Sequence, residues 1–297
     1  MHVESVLLWP WCTSDKMERR RFGSTSCQVP VVGQGTWYIE RSDRSTAIAA
    51  LRRGLDLGMT HIDTAEMYGS GAAERIVAEA IAGRRNEVFL VSKVLPTNAS
   101  RRGTVSACEQ SLARLKTDRL DAYLLHWRGE LPLEETIAAF EELVRAGKIA
   151  SWGVSNFDLP DLQDMLAIAG VGRCACNQVL YHLKERGIEH AVIPWCEQHR
   201  VAVVAYSPFG QGPLPGPRSA GGRVLQEVAA SHGASRHQIA LRFLARRPTV
   251  FTIPKASDPD HTAENGRAGD LRLTDLELAR IDSAFPVGPA PRHLPML

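Results

Sequence analysis

The stretch THIDTAEMYGSGAAERIVAEAIAGRRNEVFLVSKV, residues 60–94, contains one complete strand–helix–strand pattern. A short run at 60–65 is followed by a small glycine-containing loop and then by a helical pattern that ends at Gly83. The run at 87–94 is apolar on consecutive residues, which is typical of a strand that is buried on both faces. Two such runs around a helix predict a parallel sheet covered by helices.

The same alternation continues along most of the chain. The sequence predicts eight strands, at 29–36, 60–65, 87–94, 120–127, 149–156, 175–181, 201–208 and 250–255. Helical patterns lie between them, and the one at 133–148 has an acidic start and a basic end, which suits the helix dipole. Eight such units in about 250 residues favour an α/β fold, the closed (β/α)8 TIM barrel. An open doubly wound sheet is the alternative, but GQGTWY at 33–38 lacks the third glycine of a GxGxxG motif.

Composition restricts the classes of partner. The chain has 297 residues, 44% of them hydrophobic, and a formal net charge of +2, which gives no footprint for nucleic acid. None of the six cysteines belongs to a CxxC pair or to a zinc spacing, so we expect reduced thiols in a cytoplasmic protein. Cys174 and Cys176 are expected to face one side of a strand.

Two segments of the chain fall outside the alternation of strands and helices. The apolar run at 6–11 is too short to span a bilayer, and no later segment has the length of a transmembrane helix. We therefore expect residues 1–16 to be a disordered extension or a misassigned start, and 17–297 to be one barrel domain. The Gly/Pro-rich stretch at 210–222 is predicted to be a flexible loop inside the barrel, not a domain linker.

Ionisable and phenolic groups stand at the ends of three consecutive strands. Asp63 ends the second strand with Tyr68 in the loop beyond it, Lys93 ends the third and His126 ends the fourth. In a parallel barrel these ends converge on one face. A lone histidine is more often a hydrogen-bonded core residue, and an Asp63–Lys93 pair by itself indicates nothing but structure.

The phenol changes the interpretation of this group of residues. We expect the ammonium of Lys93 to lower the pKa of Tyr68 and so make the phenol a better proton donor near neutral pH. His126 could donate to the same substrate oxygen, while Asp63 holds Lys93. Such a set suits an oxygen that gains negative charge, as happens when a hydride reduces a carbonyl group.

The sequence resembles the aldo-keto reductases at these positions. GMTHIDTAEMYG, FLVSKV and LLHW match the family in order, and the resemblance extends from about residue 20 to 285. It implies a catalytic tetrad of Asp63, Tyr68, Lys93 and His126, the cofactor NADPH/NADP+, and no metal. The details are most similar to bacterial members that reduce methylglyoxal and related small aldehydes.

The resemblance also implies further site residues. VGQGTW, WGVSN, NQ, AYSP and IPKASDPDHTAEN carry them. Cofactor contacts are expected from Gly35, Thr36, Ser155, Asn156, Gln178, Tyr206, Ser207, Lys255, Ser257, His261, Glu264 and Asn265. The substrate pocket is expected to contain Trp37, Trp127 and Phe209, although each could be ordinary packing.

One position departs from the family pattern. The family often has arginine six residues after the lysine, where this chain has His261. A histidine is mostly neutral at pH 7 and lacks the bidentate fork of arginine. We therefore expect NADPH to be preferred over NADH through Lys255 and the N-terminus of the helix that follows, with a reduced margin. Arg267 is a candidate for compensation.

These observations predict an NADPH-dependent reductase of aldehydes or activated ketones such as methylglyoxal, acting on a small carbonyl substrate as a monomer. A diketo-sugar-acid reductase of the same fold is an alternative, and a cofactor-binding regulatory subunit is another. A metal-dependent barrel hydrolase is disfavoured because only Asp63 and His126 qualify as ligands, with Lys93 between them.

Overall fold

Eight parallel strands form a ring in the computed structural model, which describes residues 17–297. The ring consists of β3 (Gln34–Gly35), β4 (His61–Asp63), β5 (Phe89–Val94), β6 (Ala122–Leu125), β7 (Trp152–Ser155), β8 (Cys174–Leu180), β9 (Ala202–Tyr206) and β10 (Val250–Thr252). Neighbours in the ring are neighbours in the chain, and parallel bridges from Val32 to Thr252 and from Gly35 to Lys255 close it. The predicted (β/α)8 fold is confirmed.

Helices surround the ring because each carries an apolar stripe that packs on the sheet. The described residues contain α1 (Arg44–Asp56), α2 (Ala72–Ala80), α3 (Arg101–Leu115), α4 (Leu133–Arg145), α5 (Leu159–Ala169), α6 (Val192–His199), α7 (Ala220–Ser231), α8 (Arg236–Leu244), α9 (Pro259–Arg267) and α10 (Asp275–Ala284). Two helices follow β9 and two follow β10, so the outer layer has ten helices in this part of the chain. None of them is long and apolar enough to cross a membrane.

A hairpin that the sequence did not indicate precedes the ring. Strands β1 (Arg19–Arg21) and β2 (Gln28–Pro30) pair antiparallel, so part of the predicted first strand belongs to this hairpin. At its tip Phe22 packs on His61, Phe89 and Phe251, all near the amino ends of their strands. The hairpin therefore fills the barrel end opposite to the one where the strands finish.

The cysteine pair of β8 contradicts its expected orientation. Cys174 packs in the layer between sheet and helices, whereas Cys176 packs inside the barrel with Phe22 and Val204. The pairing of β8 with β7 shifts register between Trp152 and Val154, which is the mark of a β-bulge. The bulge breaks the alternation, so the expectation of a shared side is wrong. The cysteines at 27, 108, 174, 176 and 196 are free.

The expectation of an extension at residues 1–16 lies outside the described residues. The loop expected at 210–222 is non-helical up to Ser219, the N-cap of α7, and the helix takes up its last three residues.

Candidate active site

The register of the barrel brings three strand ends to one level. Asp63 pairs with Val91, two residues before Lys93, and Lys93 pairs with Leu124, two residues before His126. Both offsets follow from the tilt of the strands in a barrel, and steps of two residues keep side chains on the same face. Asp63, Lys93 and His126 therefore all project to the interior at the carboxyl end.

Lys93 is completely buried and donates three hydrogen bonds. Its Nζ lies 2.6 Å from Asp63 Oδ1, 2.8 Å from the Thr64 carbonyl oxygen and 3.1 Å from Tyr68 Oη. An ammonium has three N–H donors, and each has its own acceptor here. Burial alone would lower the pKa of Lys93, but the nearby Asp63 and Tyr68 raise it, so the amine is charged.

The pKa of Tyr68 departs from our expectation. Burial raises it, and this effect outweighs the opposing influence of the Lys93 ammonium. The prediction of a lowered pKa is therefore wrong for this structure, because the sequence showed the charge but not the degree of burial. The phenol retains its proton at neutral pH. Since its oxygen accepts a hydrogen bond from Lys93, the O–H is available to another acceptor.

His126 is a neutral imidazole beside that phenol. The two rings meet edge to face with centroids 5.7 Å apart. Burial, reinforced by the positive charge of Lys93, lowers the pKa of His126 to about 2. A neutral imidazole carries one N–H, so His126 can donate one hydrogen bond to an oxygen in the cavity.

A second set of polar side chains comes from β7, β8 and β9. Ser155 Oγ donates to the Gln178 carbonyl oxygen, Asn156 Nδ2 donates to the His126 carbonyl oxygen, and Tyr206 Oη donates to Asn156 Oδ1. Asn156 has a φ of 59°, the left-handed conformation that asparagine tolerates better than most residues. These bonds fix the ends of three strands relative to the His126 backbone.

A cavity of about 460 Å³ opens at this end of the barrel. Among the predicted site residues it is lined by Gly35, Thr36, Trp37, Asp63, Tyr68, His126, Trp127, Ser155, Asn156, Gln178, Tyr206, Ser207 and Lys255. Lys93 lies beneath it, in contact with Asp63 and Tyr68. The cavity thus collects all but a few of the predicted residues.

The remaining predicted residues lie elsewhere. Phe209 is not part of the lining and packs edge to face on His237, with ring centroids 5.0 Å apart. The other four are Ser257, His261, Glu264 and Asn265, which belong to the segment from Ser257 to the end of α9. Ser257 accepts a hydrogen bond from Lys255 Nζ at 3.2 Å, which connects this segment with the cavity.

The start of α9 has a feature that the resemblance did not indicate. Asp258 is the N-cap, and its Oδ1 accepts from the amides of Asp260 and His261 at 2.8 and 3.1 Å. A carboxylate of the chain therefore bonds the helix N-terminus on which we expected a phosphate. Arg267 lies in the last turn of the helix, at the end opposite to His261.

Several lining residues were missed by the sequence reasoning, notably Tyr38, Met67, Gln211 and Met296. Tyr38 stacks on Trp37 with centroids 4.4 Å apart, and its φ of 61° is unusual for an aromatic residue. Adjacency to Trp37 and Tyr68 was the available signal for Tyr38 and Met67. Nothing local indicates that Met296, about 230 residues after Tyr68 in the chain, reaches the same cavity.

The donor set of the cavity fits a nicotinamide cofactor. The side-chain amides of Gln178 and Asn156 and the hydroxyl of Ser155 can meet a carboxamide, and the Tyr206 ring borders the same space. Lys255 adds a cation at the edge of the cavity. The described residues contain no group of three His, Cys, Asp or Glu side chains that could hold a metal ion.

A (β/α)8 barrel with a buried Asp–Lys–Tyr cluster and a neutral histidine at one cavity defines a class of carbonyl-reducing oxidoreductases. The family model described as "Aldo/keto reductase family" matches residues 31–285, and the chain belongs to this family. It is an NADP-dependent oxidoreductase that reduces carbonyl groups.

Relatives cover nearly the whole chain. The methylglyoxal reductase YeaE of Escherichia coli (strain K12) is 47% identical over 265 residues, which are 89% of this chain and 93% of that protein. The glyoxal reductase of Bacillus subtilis (strain 168) is 31% identical over 90% of this chain and 94% of its own length. An aldo-keto reductase from Klebsiella pneumoniae, solved in complex with NADPH, is 45% identical with a TM-score of 0.88, over 95% of this chain and 99% of that one.

Proposed function

We propose that the protein reduces small aldehydes and activated ketones, such as methylglyoxal, with Tyr68 as the proton donor. One observation carries the assignment of the donor. Tyr68 Oη accepts a hydrogen bond from the Lys93 ammonium at 3.1 Å and also lines the cavity. The Lys93 ammonium thus donates a hydrogen bond to the phenol oxygen from beneath the cavity. The phenol proton remains available to an acceptor in the cavity.

The roles of the other residues follow from this arrangement. A nicotinamide cofactor, when bound, supplies the hydride that adds to the carbonyl carbon. The carbonyl oxygen then gains negative charge and takes the proton of Tyr68, so that the product is an alcohol and the phenol becomes a phenolate. The Lys93 ammonium stabilises that phenolate, and Asp63 stabilises the ammonium. His126 donates its N–H to the same oxygen and orients it.

Binding of the cofactor is proposed for the second group of residues. Ser155, Asn156 and Gln178 would hold the carboxamide, and the Tyr206 face would carry the nicotinamide ring. Gly35, Thr36, Ser207 and Lys255 complete the contacts around the cavity. Ser257, His261, Glu264 and Asn265 are proposed for the far end of the cofactor.

The margin of NADPH over NADH is proposed to be modest. His261 lacks the fork of arginine, and the Asp258 carboxylate lies on the amides at the start of α9. Both features reduce the attraction for an additional phosphate. Direct titration with each cofactor would contradict this if the ratio of Kd values exceeded about a thousandfold, which corresponds to about 4 kcal/mol.

The choice of substrate is supported by two relatives and by the cavity. Proteins 47% and 31% identical to this chain are described as methylglyoxal and glyoxal reductases. Trp37, Trp127, Tyr38 and Met67 give the cavity a largely apolar wall on which a small carbonyl compound can pack. We further propose that the protein is a cytoplasmic monomer and that residues 17–297 form one domain.

The test compares wild type with Tyr68→Phe in a reaction with NADPH and methylglyoxal, followed by the loss of NADPH absorbance. We expect kcat to fall by about 10²–10⁴-fold in the variant. Tyr123→Phe is the matched control, because Tyr123 is also buried but packs from β6 against Phe140 of α4, away from the cavity. Equal activity of Tyr68→Phe and wild type would exclude Tyr68 as the donor, and an inactive wild type that binds NADPH would exclude the substrate.

A further inference from the structure

One hydrogen bond crosses the barrel beneath the cavity. Gln178 Nε2 donates to Asp63 Oδ2 at 2.7 Å, and the two residues are 2% and 1% exposed. Asp63 ends the second strand of the ring, and Gln178 belongs to the sixth, so the bond joins opposite walls. A buried hydrogen bond to a carboxylate is among the stronger ones in a protein. The cofactor contact proposed for Gln178 does not account for this bond.

This bond restricts the protonation state of Asp63. Asp63 Oδ1 accepts from Lys93 and Oδ2 accepts from Gln178, so each carboxylate oxygen faces an N–H donor. The alternative is a neutral pair with the proton on Asp63 and an amine on Lys93. A proton on Oδ2 would point at the amide hydrogens of Gln178. The amide therefore favours the ionised carboxylate.

The charge of Lys93 in turn decides how Tyr68 is oriented. The ammonium donates to three acceptors, one of which is Tyr68 Oη. If the proton were on Asp63 Oδ2, the neutral amine would donate its two N–H groups to Asp63 Oδ1 and the Thr64 carbonyl oxygen, and its lone pair would accept the phenol proton as a hydrogen bond. The proton would then point down at Lys93 and away from the cavity.

We propose that Gln178 is a positioning residue that keeps Asp63 ionised and thereby directs the Tyr68 proton into the cavity. The inference rests on the proposed function of Tyr68 and extends it to the opposite wall of the barrel. Gln178 would then have two roles. Its amide nitrogen bonds Asp63, while its amide oxygen remains available to a cofactor in the cavity.

Replacement of Gln178 by glutamate gives a direct test. The two side chains have the same shape, and the protonated carboxyl of glutamate is a donor that can replace the amide. The ionised carboxyl is not a donor and places a second negative charge against Asp63. Burial and the like charge both raise the pKa of such a group into the neutral range.

Other groups near Asp63 do not titrate in that range. The pKa values of His61 and His126 are lowered to about 3 and about 2 by burial, and that of Tyr206 is raised to about 12 by burial. The remaining titratable neighbours are Lys93, Tyr68 and Cys176, whose pKa values are all raised. Burial also raises the pKa of Asp63, so a new activity change between about pH 5.5 and 8.5 reports ionisation of the pair formed by the introduced glutamate and Asp63.

The experiment measures kcat at saturating NADPH across this pH range for wild type, Gln178→Glu and Gln178→Leu. We expect Gln178→Glu to be within about fivefold of wild type at the acid end and to lose at least about tenfold more activity at the alkaline end. Gln178→Leu, which never has a donor, is expected to be reduced about tenfold or more at every pH. If Gln178 only filled space, protonation of the introduced glutamate would not restore kcat.

Two further measurements separate the alternatives. Kd for NADPH, determined by fluorescence at each pH, identifies an effect exerted only through the cofactor, because such an effect disappears from kcat at saturation. Asn177→Leu removes a buried amide from the same strand that bonds Phe157 on the outer side, and is expected to lower Tm without a new pH dependence of kcat.

The inference is overturned if Gln178→Glu and Gln178→Leu have parallel kcat profiles. It is also overturned if the Tm of Gln178→Glu does not fall relative to wild type as the pH rises, a measurement that needs no substrate. A wild type without carbonyl reductase activity would instead refute the proposed function, and the Tm comparison would still test whether position 178 requires a hydrogen-bond donor against Asp63.

Discussion

Replacement of His61 by leucine should remove much of the acid sensitivity of this fold. His61 lies inside the barrel two residues before Asp63, and both of its ring nitrogens are buried without a hydrogen-bond partner among residues 17–297. Its ring meets the edges of Phe22 and Phe89 at centroid distances of 5.8 and 5.5 Å. Burial, assisted by the charge of Lys93, lowers its pKa from 6.5 to about 3.

The sign of the effect follows from proton linkage. In the unfolded chain His61 binds a proton below its ordinary pKa of 6.5, while in the folded protein it stays neutral down to about pH 3. The unfolded state therefore binds more protons in this window, and stability falls as the pH falls. Each pH unit below 6.5 costs about 1.4 kcal/mol, so lowering the pH from 7 to 5 costs about 2 kcal/mol through this one residue.

The assay is urea unfolding at pH 7 and pH 5, monitored by tryptophan fluorescence. We expect the free energy of unfolding of His61→Leu to fall by about 2 kcal/mol less than that of wild type between these two pH values. His126 contributes in the same direction in both proteins and cancels in the comparison. The exposed His293 supplies the control, because His293→Leu should follow wild type. Parallel losses in wild type and His61→Leu would refute the reasoning.

Three other changes have definite expected outcomes. Lys93→Met leaves the Asp63 carboxylate buried without its cation, so kcat should fall by at least about a hundredfold and the free energy of unfolding, measured in urea, by about 3–5 kcal/mol. Gly23→Ala places a Cβ 2.0 Å from the Ala175 carbonyl oxygen at a φ of +55°, so Tm should fall by at least about 5 °C, and an unchanged Tm would mean that the hairpin does not dock there. In Glu189, burial raises the pKa, but hydrogen bonds from charged neighbours outweigh it and hold it at about 2, so stability is lost as the pH falls from 4.5 toward that value. Glu189→Gln should flatten this acid limb in pH-dependent unfolding, and an unchanged slope would contradict the assignment.

The features that the sequence predicted well are those with a local cause. Continuous apolar runs indicated the strands at 87–94 and 250–255 because both faces of a parallel strand are buried. The convergence of Asp63, Lys93 and His126 followed from their position at strand ends, since the barrel forces these ends together. The Asp63–Lys93 ion pair followed from the cost of burying an unpaired ammonium.

What could not be predicted depends on three-dimensional environment. The pKa of Tyr68 is the balance of burial against one nearby charge, and only the charge is visible in the sequence. The hairpin strands around Phe22 are three residues long and show no alternation. Phe209 follows a strand as expected for a pocket residue, yet it packs on His237, a residue of α8 that no local pattern connects with it.

The hairpin at the closed end of the barrel has a consequence for how the protein is made. It holds the first described residues of the chain, and several of its partners come from the last quarter: Phe22 packs on Phe251, Arg20 donates to the Arg247 carbonyl oxygen, and Glu18 pairs with Arg242. A ribosome releases the chain from its N-terminus, so the hairpin leaves the exit tunnel long before all of the surfaces that it covers exist. Phe22 can meet His61 and Phe89 earlier, but its docking site is incomplete until the eighth strand appears. The final closure of this fold thus joins a segment that is made early to one that is made late, and a chain interrupted before β10 would leave that aromatic tip incompletely covered.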